Sequence, residues 1–159
     1  MKMRNLISLT SILAALLVLT GCASNKLIKG DENVHYTVAQ EYLAAANYGM
    51  TISTLEQLEQ RFPFSRYAEQ AQYDLMYAKF KNKDYEEVII LADRMIRLQP
   101  DHEAIAYAWY LKALGRYELS RTNRSLLSGF DIATRDTQAA QKAFDDFASY
   151  LRLFPNDRY

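Results

Sequence analysis

The sequence predicts an all-α fold, a solenoid of about three helix-turn-helix repeats. Three observations lead there. The 159-residue chain is half hydrophobic, with only three prolines and five glycines. Its long stretches of Ala, Leu, Glu, Gln, Lys and Arg are good helix formers. Second, Pro63, Pro100 and Pro155 each close a helical pattern, because proline cannot continue a helix interior. Pro63 and Pro100 stand about 37 residues apart, the length of one helix-turn-helix unit. Third, the stretches ahead of the prolines align: Tyr48 to Phe62, Tyr85 to Gln99 and Ala140 to Phe154. In that register Leu55, Ala92 and Phe147 match one another, as do Leu58, Met95 and Tyr150.

The elements follow in order. Residues 1–21 read as an export signal. Lys2 and Arg4 give a positive start, Leu6 to Leu19 is an uncharged apolar core, and Thr20-Gly21 are small. The core is short for a membrane span. Cys22 is the only cysteine, so no internal disulfide forms. Residues 22–33 are polar without a sustained period and are expected to be a flexible tether. The repeat domain is expected over 34–159. Its helices are expected over 34–46, 49–61, 66–82, 85–98, 103–120 and 137–153. Ser65, Asp84 and Asp136 are the expected N-caps of the third, fourth and sixth. The third repeat is longer than the second. The extra residues are expected in a loop over 121–135, whose Leu126, Leu127 and Phe130 either tuck back on the solenoid or touch a partner.

Nothing in the pattern points to covalent chemistry. His35 and His102 are far apart, and neither has a metal-ligand partner one helical turn away. There is no glycine-rich phosphate loop and no serine in a nucleophile elbow. Glu86, Glu87, Asp145 and Asp146 read as solvated faces. The formal net charge is zero and no basic run suggests nucleic acid. The expectation is a binding protein, not an enzyme, with no metal and no cofactor.

Two resemblances sharpen this. Leu19-Thr20-Gly21-Cys22 resembles a bacterial lipobox, which implies that Cys22 is lipidated and becomes the mature N-terminus. Several acyl chains give a stable anchor. Ala23, in place of an aspartate, favours the outer membrane. Further on, Tyr67 to Leu75, Tyr77 to Asn82, Ile96 to His102, Arg135-Asp136 and Phe144 to Phe147 resemble the BamD family. These are tetratricopeptide-repeat lipoproteins of the machinery that folds β-barrels into the outer membrane of Gram-negative bacteria. The resemblance implies a place on the periplasmic face of that membrane. It also implies binding to unfolded outer-membrane protein precursors and to the barrel subunit and accessory lipoproteins. The rival reading is another periplasmic tetratricopeptide scaffold, acting in cell-envelope or division complexes. Some positions depart from the family pattern. Ala46 and Lys83 stand where the turn between paired helices often has glycine. Thr137 replaces a proline, and Val88 a small alanine. Asn156 to Tyr159 reads as the opening of a seventh helix, so the chain is expected to be a C-terminally truncated member.

The informative excess is tyrosine, twelve in all. Tyr73, Tyr77 and Phe80 fall on one helical face, and so do Tyr107, Tyr110, Leu114 and Tyr117. In a tetratricopeptide array the first helix of each repeat lines the concave surface. That places Tyr36, Tyr73, Tyr77, Phe80, Tyr107, Tyr110 and Tyr117 in a candidate groove, with Trp109 at a packing position. Many of these rings also suit the inter-helix core. Tyrosine in place of leucine favours a wet wall.

Overall fold

The computed structural model describes residues 28–126 and 133–159. Six helices run in chain order: α1 Glu32–Ala44, α2 Tyr48–Arg61, α3 Ala68–Lys81, α4 Tyr85–Leu98, α5 Ile105–Leu126 and α6 Ala133–Leu153. Each packs on the next, and α3 also touches α5. First helices of successive pairs therefore adjoin, as a helical solenoid requires.

Two apolar clusters meet at α3. One joins α1, α2 and α3 through Ala39, Leu55, Leu58, Ala71, Leu75 and Ala78. The other joins α3, α4 and α5 through Tyr73, Met76, Val88, Ala92, Met95, Ala108 and Leu111. Many of the fully buried positions are alanines, which lets the helix axes approach. Val88 is fully buried facing Gly115, where an added Cβ would stand at contact distance, 3.4 Å from Val88 Cγ1. Trp109 packs at the margin of the second cluster, and Lys112 Nζ lies 5.1 Å from its ring centre.

Charged pairs cross the same joints. Lys79, 5 % exposed, bridges α2 and α4 through Glu56 at 2.7 Å and Glu87. Lys112 links Asp93 on α4 at 2.8 Å to Asp146 on α6 at 3.4 Å, and Arg116 also pairs with Asp146. Glu87 and Asp146 thus hold helices together, where the sequence pattern suggests solvated faces.

The turns inside the first two pairs share one geometry. Ala46 N–H donates to Leu43 C=O at 3.0 Å, and Asn47 N–H to Tyr42 C=O at 2.9 Å. Lys83 N–H donates to Phe80 C=O at 3.1 Å, and Asp84 N–H to Lys79 C=O at 2.9 Å. This is the Schellman C-cap, which puts the residue after the cap in the left-handed region. Ala46 has φ 54° and Lys83 φ 70°. These are the two positions where the family pattern favours glycine.

Several sequence expectations are corrected. The segment 22–33 is not all tether. Ile28 N–H donates to Gln57 Oε1 at 3.1 Å, and Ile28 C=O accepts from Arg61 at 2.8 Å. Asp31 caps α1 by accepting from Val34 N–H at 3.0 Å. Ser65 is not the cap of α3. The helix starts at Ala68, and Ser65 Oγ accepts from Tyr67 N–H in the preceding turn. Asp84 occupies the cap position of α4, but its carboxylate accepts from Asn82 Nδ2 at 2.7 Å instead of from the helix. The expected loop over 121–135 is mostly helix: α5 continues to Leu126 and α6 begins at Ala133. Asp136 therefore lies within α6, past its start, and Leu126 ends α5. Leu127 and Phe130, like Cys22 and residues 1–21, lie outside the described residues.

Candidate tyrosine recess on the first helices

The adjoining first helices carry a polar and aromatic surface built on α-helical spacing. On α3, Gln70, Asp74 and Tyr77 recur at i, i+4 and i+7. On α1, Tyr36 and Gln40 are one turn apart. Asp74 ties the two helices together. Its Oδ2 accepts from Tyr36 Oη at 3.1 Å and Gln40 Nε2 at 2.6 Å, and its Oδ1 from Gln70 Nε2 at 2.9 Å. Tyr36 also stacks on Tyr67, with ring centres 4.3 Å apart. Burial first, then the Asp74 charge, push the Tyr36 phenol well above its usual range, so its hydroxyl keeps its proton and donates.

Tyr73 is core. It is 3 % exposed, stacks on His102 at 4.9 Å, and its hydroxyl meets His102 Nδ1 at 2.9 Å. His102 Nδ1 also accepts from Ala104 N–H at 3.1 Å, which leaves Nε2 to carry the ring proton. His102 thus shapes the turn into α5. Burial, then Glu69, push the Tyr73 phenol up to about 12.

Beside it a recess of about 260 Å³ opens between α3 and α5, lined by Gln70, Tyr73, Asp74, Tyr77, Tyr107 and Tyr159, among others. Tyr107 lies 5.0 Å from Tyr159, and Tyr110 stacks on Tyr159 at 5.2 Å and tilts against Tyr150 at 5.9 Å. Burial, then the neighbouring phenols of Tyr159, Tyr77 and Tyr110, raise Tyr107 well above its usual range. Tyr77 meets Tyr48 edge-on at 6.4 Å.

Of the seven candidate groove residues, the structure brings Tyr73, Tyr77 and Tyr107 to one recess and sets Tyr110 against its Tyr159 rim. Tyr36 joins through Asp74. Phe80 packs instead on Tyr85, 5.6 Å away, where α3 turns into α4. Tyr117 is 44 % exposed further along α5, with Arg121 over its ring at 5.6 Å. Asp74, Gln70 and Tyr159 are absent from the sequence-based groove. The Gln70, Asp74, Tyr77 spacing was a usable signal for the first two. Tyr159 lies beyond the last helical period, and no periodicity points to it. Among the described residues no group of three His, Cys, Asp or Glu side chains is placed to hold a metal ion. No described helix is long and apolar enough to cross a membrane.

Comparison with known proteins agrees with this architecture. The chain is 34 % identical over 149 residues to the outer membrane protein assembly factor BamD of Vibrio cholerae, covering 92 % of this chain and 62 % of that protein. It is 32 % identical over 151 residues to the protein of the same name from Neisseria meningitidis serogroup B, covering 90 % and 57 %. The Pasteurella multocida protein of that name is 32 % identical over 158 residues, covering 99 % and 61 %. The chain spans about three fifths of the length of these relatives. The profile of the YfiO family, described as outer membrane lipoprotein, matches residues 29–159, and the chain belongs to that family.

Proposed function

We propose that the chain is a lipid-anchored scaffold of the outer-membrane β-barrel assembly machinery. In this reading Cys22 carries the acyl chains that hold it to the periplasmic face of the outer membrane. The recess between α3 and α5 receives extended, aromatic-rich segments of unfolded barrel precursors, and other faces meet the barrel subunit and accessory lipoproteins. No covalent step is involved. The relatives' names supply the assembly role. The observation that carries the binding site is one open recess lined by Tyr77, Tyr107 and Tyr159, with Tyr110 stacked on its Tyr159 rim. Their rings offer apolar area with a polar tip, which suits alternate side chains of an extended peptide.

The test is Tyr77→Ala with Tyr110→Ala, followed by melting and by affinity for a precursor C-terminal peptide. A few anchors carry most binding energy, each worth about 2 kcal/mol or more. Losing two therefore weakens binding on the order of a thousandfold. Normal binding by a folded double variant refutes the recess as drawn. The anchor is tested separately: Cys22→Ser abolishes fatty-acid labelling and frees the protein from membranes, and persistent labelling refutes it.

A further inference from the structure

The two long edges of the solenoid are unlike. One edge holds the turns at Ala46 and Lys83. The other gathers the start of α1, the α2–α3 turn, the α4–α5 turn and the end of α6. Cross-contacts define it. Tyr67 Oη donates to Asn33 at 2.8 Å, His102 lies 3.7 Å from Glu69, and Tyr159 packs on Tyr107 near the start of α5.

On this second edge every repeat leaves large apolar side chains in solvent: Phe64 98 % exposed, Leu98 72 %, and Leu151 and Leu153 at 62 % and 52 %. Each has an exposed arginine beside it, Arg66, Arg97 and Arg152. Leu98 and Leu153 occupy equivalent places, two residues ahead of Pro100 and Pro155. A single exposed apolar residue is ordinary. Ile90 and Phe144 are as exposed in mid-helix, at 65 % and 67 %, so exposure alone does not mark this edge; its recurrence at the same end of each repeat does.

The N-terminal segment leaves from the same edge. Ile28 is held by Gln57 and Arg61 in the last two turns of α2. Even fully extended, the span from Cys22 to Ile28 reaches at most about 20 Å. An acylated Cys22 therefore keeps the Ile28 attachment on this edge within about 20 Å of the bilayer surface.

We propose that this edge faces the membrane, with Phe64, Leu98 and Leu153 seated in the lipid headgroup layer and Arg66, Arg97 and Arg152 reaching its phosphates. The inference rests on the acyl anchor at Cys22 proposed above. Arginine suits the place: its stem lies along apolar surface while its guanidinium grips phosphate bidentately. The edge also carries exposed acids, Glu69, Asp101 and Glu103, so it is not a cationic patch that binds lipid unaided. The anchor supplies the effective concentration, and the contact then sets orientation. The helices stand end-on to the bilayer, and the recess, whose Tyr73 and Tyr107 lie in the first two turns of α3 and α5, sits just above the lipid.

The test uses the mature lipoprotein purified from membranes, with its N-terminal acyl mass measured first. It is reconstituted into phosphatidylethanolamine–phosphatidylglycerol vesicles containing brominated lipid. In a Trp109→Phe background, one tryptophan is placed by Phe64→Trp, Leu98→Trp or, on the opposite edge, Glu86→Trp. Brominated lipid should remove most of the emission from the first two and leave the third unchanged. A second readout needs no substitution in the fold. Amide exchange at 62–67 and 98–104 should be slower on vesicles than in the soluble Cys22→Ser protein, with 45–47 and 82–84 unaltered. An acylated protein with equal quenching at both edges, or with none at Phe64 and Leu98 and no exchange protection there, overturns the orientation and leaves the anchor standing. Absence of the acyl mass overturns both.

Discussion

Replacing Ala46 and Lys83 with glycine should stabilise the protein, contrary to the usual effect of glycine on a helical chain. Both residues sit at the left-handed position of a Schellman cap, with φ 54° and 70°. A side-chain-bearing residue in that conformation costs about 1–2 kcal/mol, because its Cβ crowds the following carbonyl. Glycine removes the strain but adds freedom to the unfolded chain, worth about 0.4–1 kcal/mol. The net gain is about 0.5–1 kcal/mol per site. Both turns keep their two backbone hydrogen bonds in either sequence, so nothing else changes. The sites lie in different turns and share no partner, so the gains should add to about 1–2 kcal/mol. For a domain of this size that raises the melting midpoint by about 3–8 °C. Thermal and urea unfolding of Ala46→Gly, Lys83→Gly and the double variant measure it. A fall in stability at either site would refute the left-handed turns, and so would a double variant no better than the single ones.

Lys79 gives an asymmetric prediction. Its nitrogen is buried, while Glu56 and Glu87 are 42 % and 59 % exposed. Lys79→Met leaves two acids that water can solvate, so the unfolding free energy measured in urea should change by about 1 kcal/mol or less. Glu56→Gln with Glu87→Gln strands the ammonium and should cost about 3–5 kcal/mol; equal losses would refute this. Alkali should also unfold the protein. The Tyr73 phenol is raised to about 12 and those of Tyr36 and Tyr107 are raised in the same direction. The unfolded chain therefore releases these protons first. Stability is full below pH 10 and falls as pH rises through 12. Tyrosinate absorbance followed alongside circular dichroism checks this, and all phenols titrating near pH 10 in a folded chain would contradict it.

The repeat and its helices were legible because Pro63, Pro100 and Pro155 set a common register for the apolar positions. The family resemblance marked Ala46 and Lys83 as turn positions, and the structure adds their left-handed backbone. The end of α5 was not. Residues 121–125 are Arg-Thr-Asn-Arg-Ser, with no apolar period and three weak helix formers in Thr, Asn and Ser. α5 and α6 pack extensively on each other, and such tertiary packing overrides weak propensity. The start of α1 was misplaced because Asp31, its cap, sits in a stretch that looks like linker. Ser65 and Asp84 failed as caps for a shared reason: short polar side chains bond within tight turns as readily as to a helix. The placement of Tyr159 depends on tertiary contact alone, and no local pattern encodes it.

The tyrosines themselves divide by what their hydroxyls do, and that division decides which of them a ligand can use. Tyr36 is committed to Asp74, Tyr73 to His102, Tyr67 to Asn33 and Tyr150 to Asp157. Taking any of these for a ligand means first breaking an internal hydrogen bond and leaving its partner short of one, at about 1–3 kcal/mol when buried. The hydroxyls of Tyr77, Tyr107 and Tyr110 make no hydrogen bond among the described residues, yet their rings are held by Tyr48, Tyr159 and Tyr150. A ring already fixed, with a free polar tip, loses little entropy on binding and displaces only water. Tyr73 then serves as the internal contrast. Tyr73→Phe removes a bond that shapes the turn into α5 and should cost about 1 kcal/mol of stability. It should leave peptide affinity untouched, whereas loss of Tyr77 and Tyr110 should weaken binding on the order of a thousandfold, with some loss of stability because Tyr110 also packs on the second cluster. A peptide that binds less tightly to Tyr73→Phe than to the Tyr77 and Tyr110 double variant would show that the buried hydroxyl, not the open recess, is the contact.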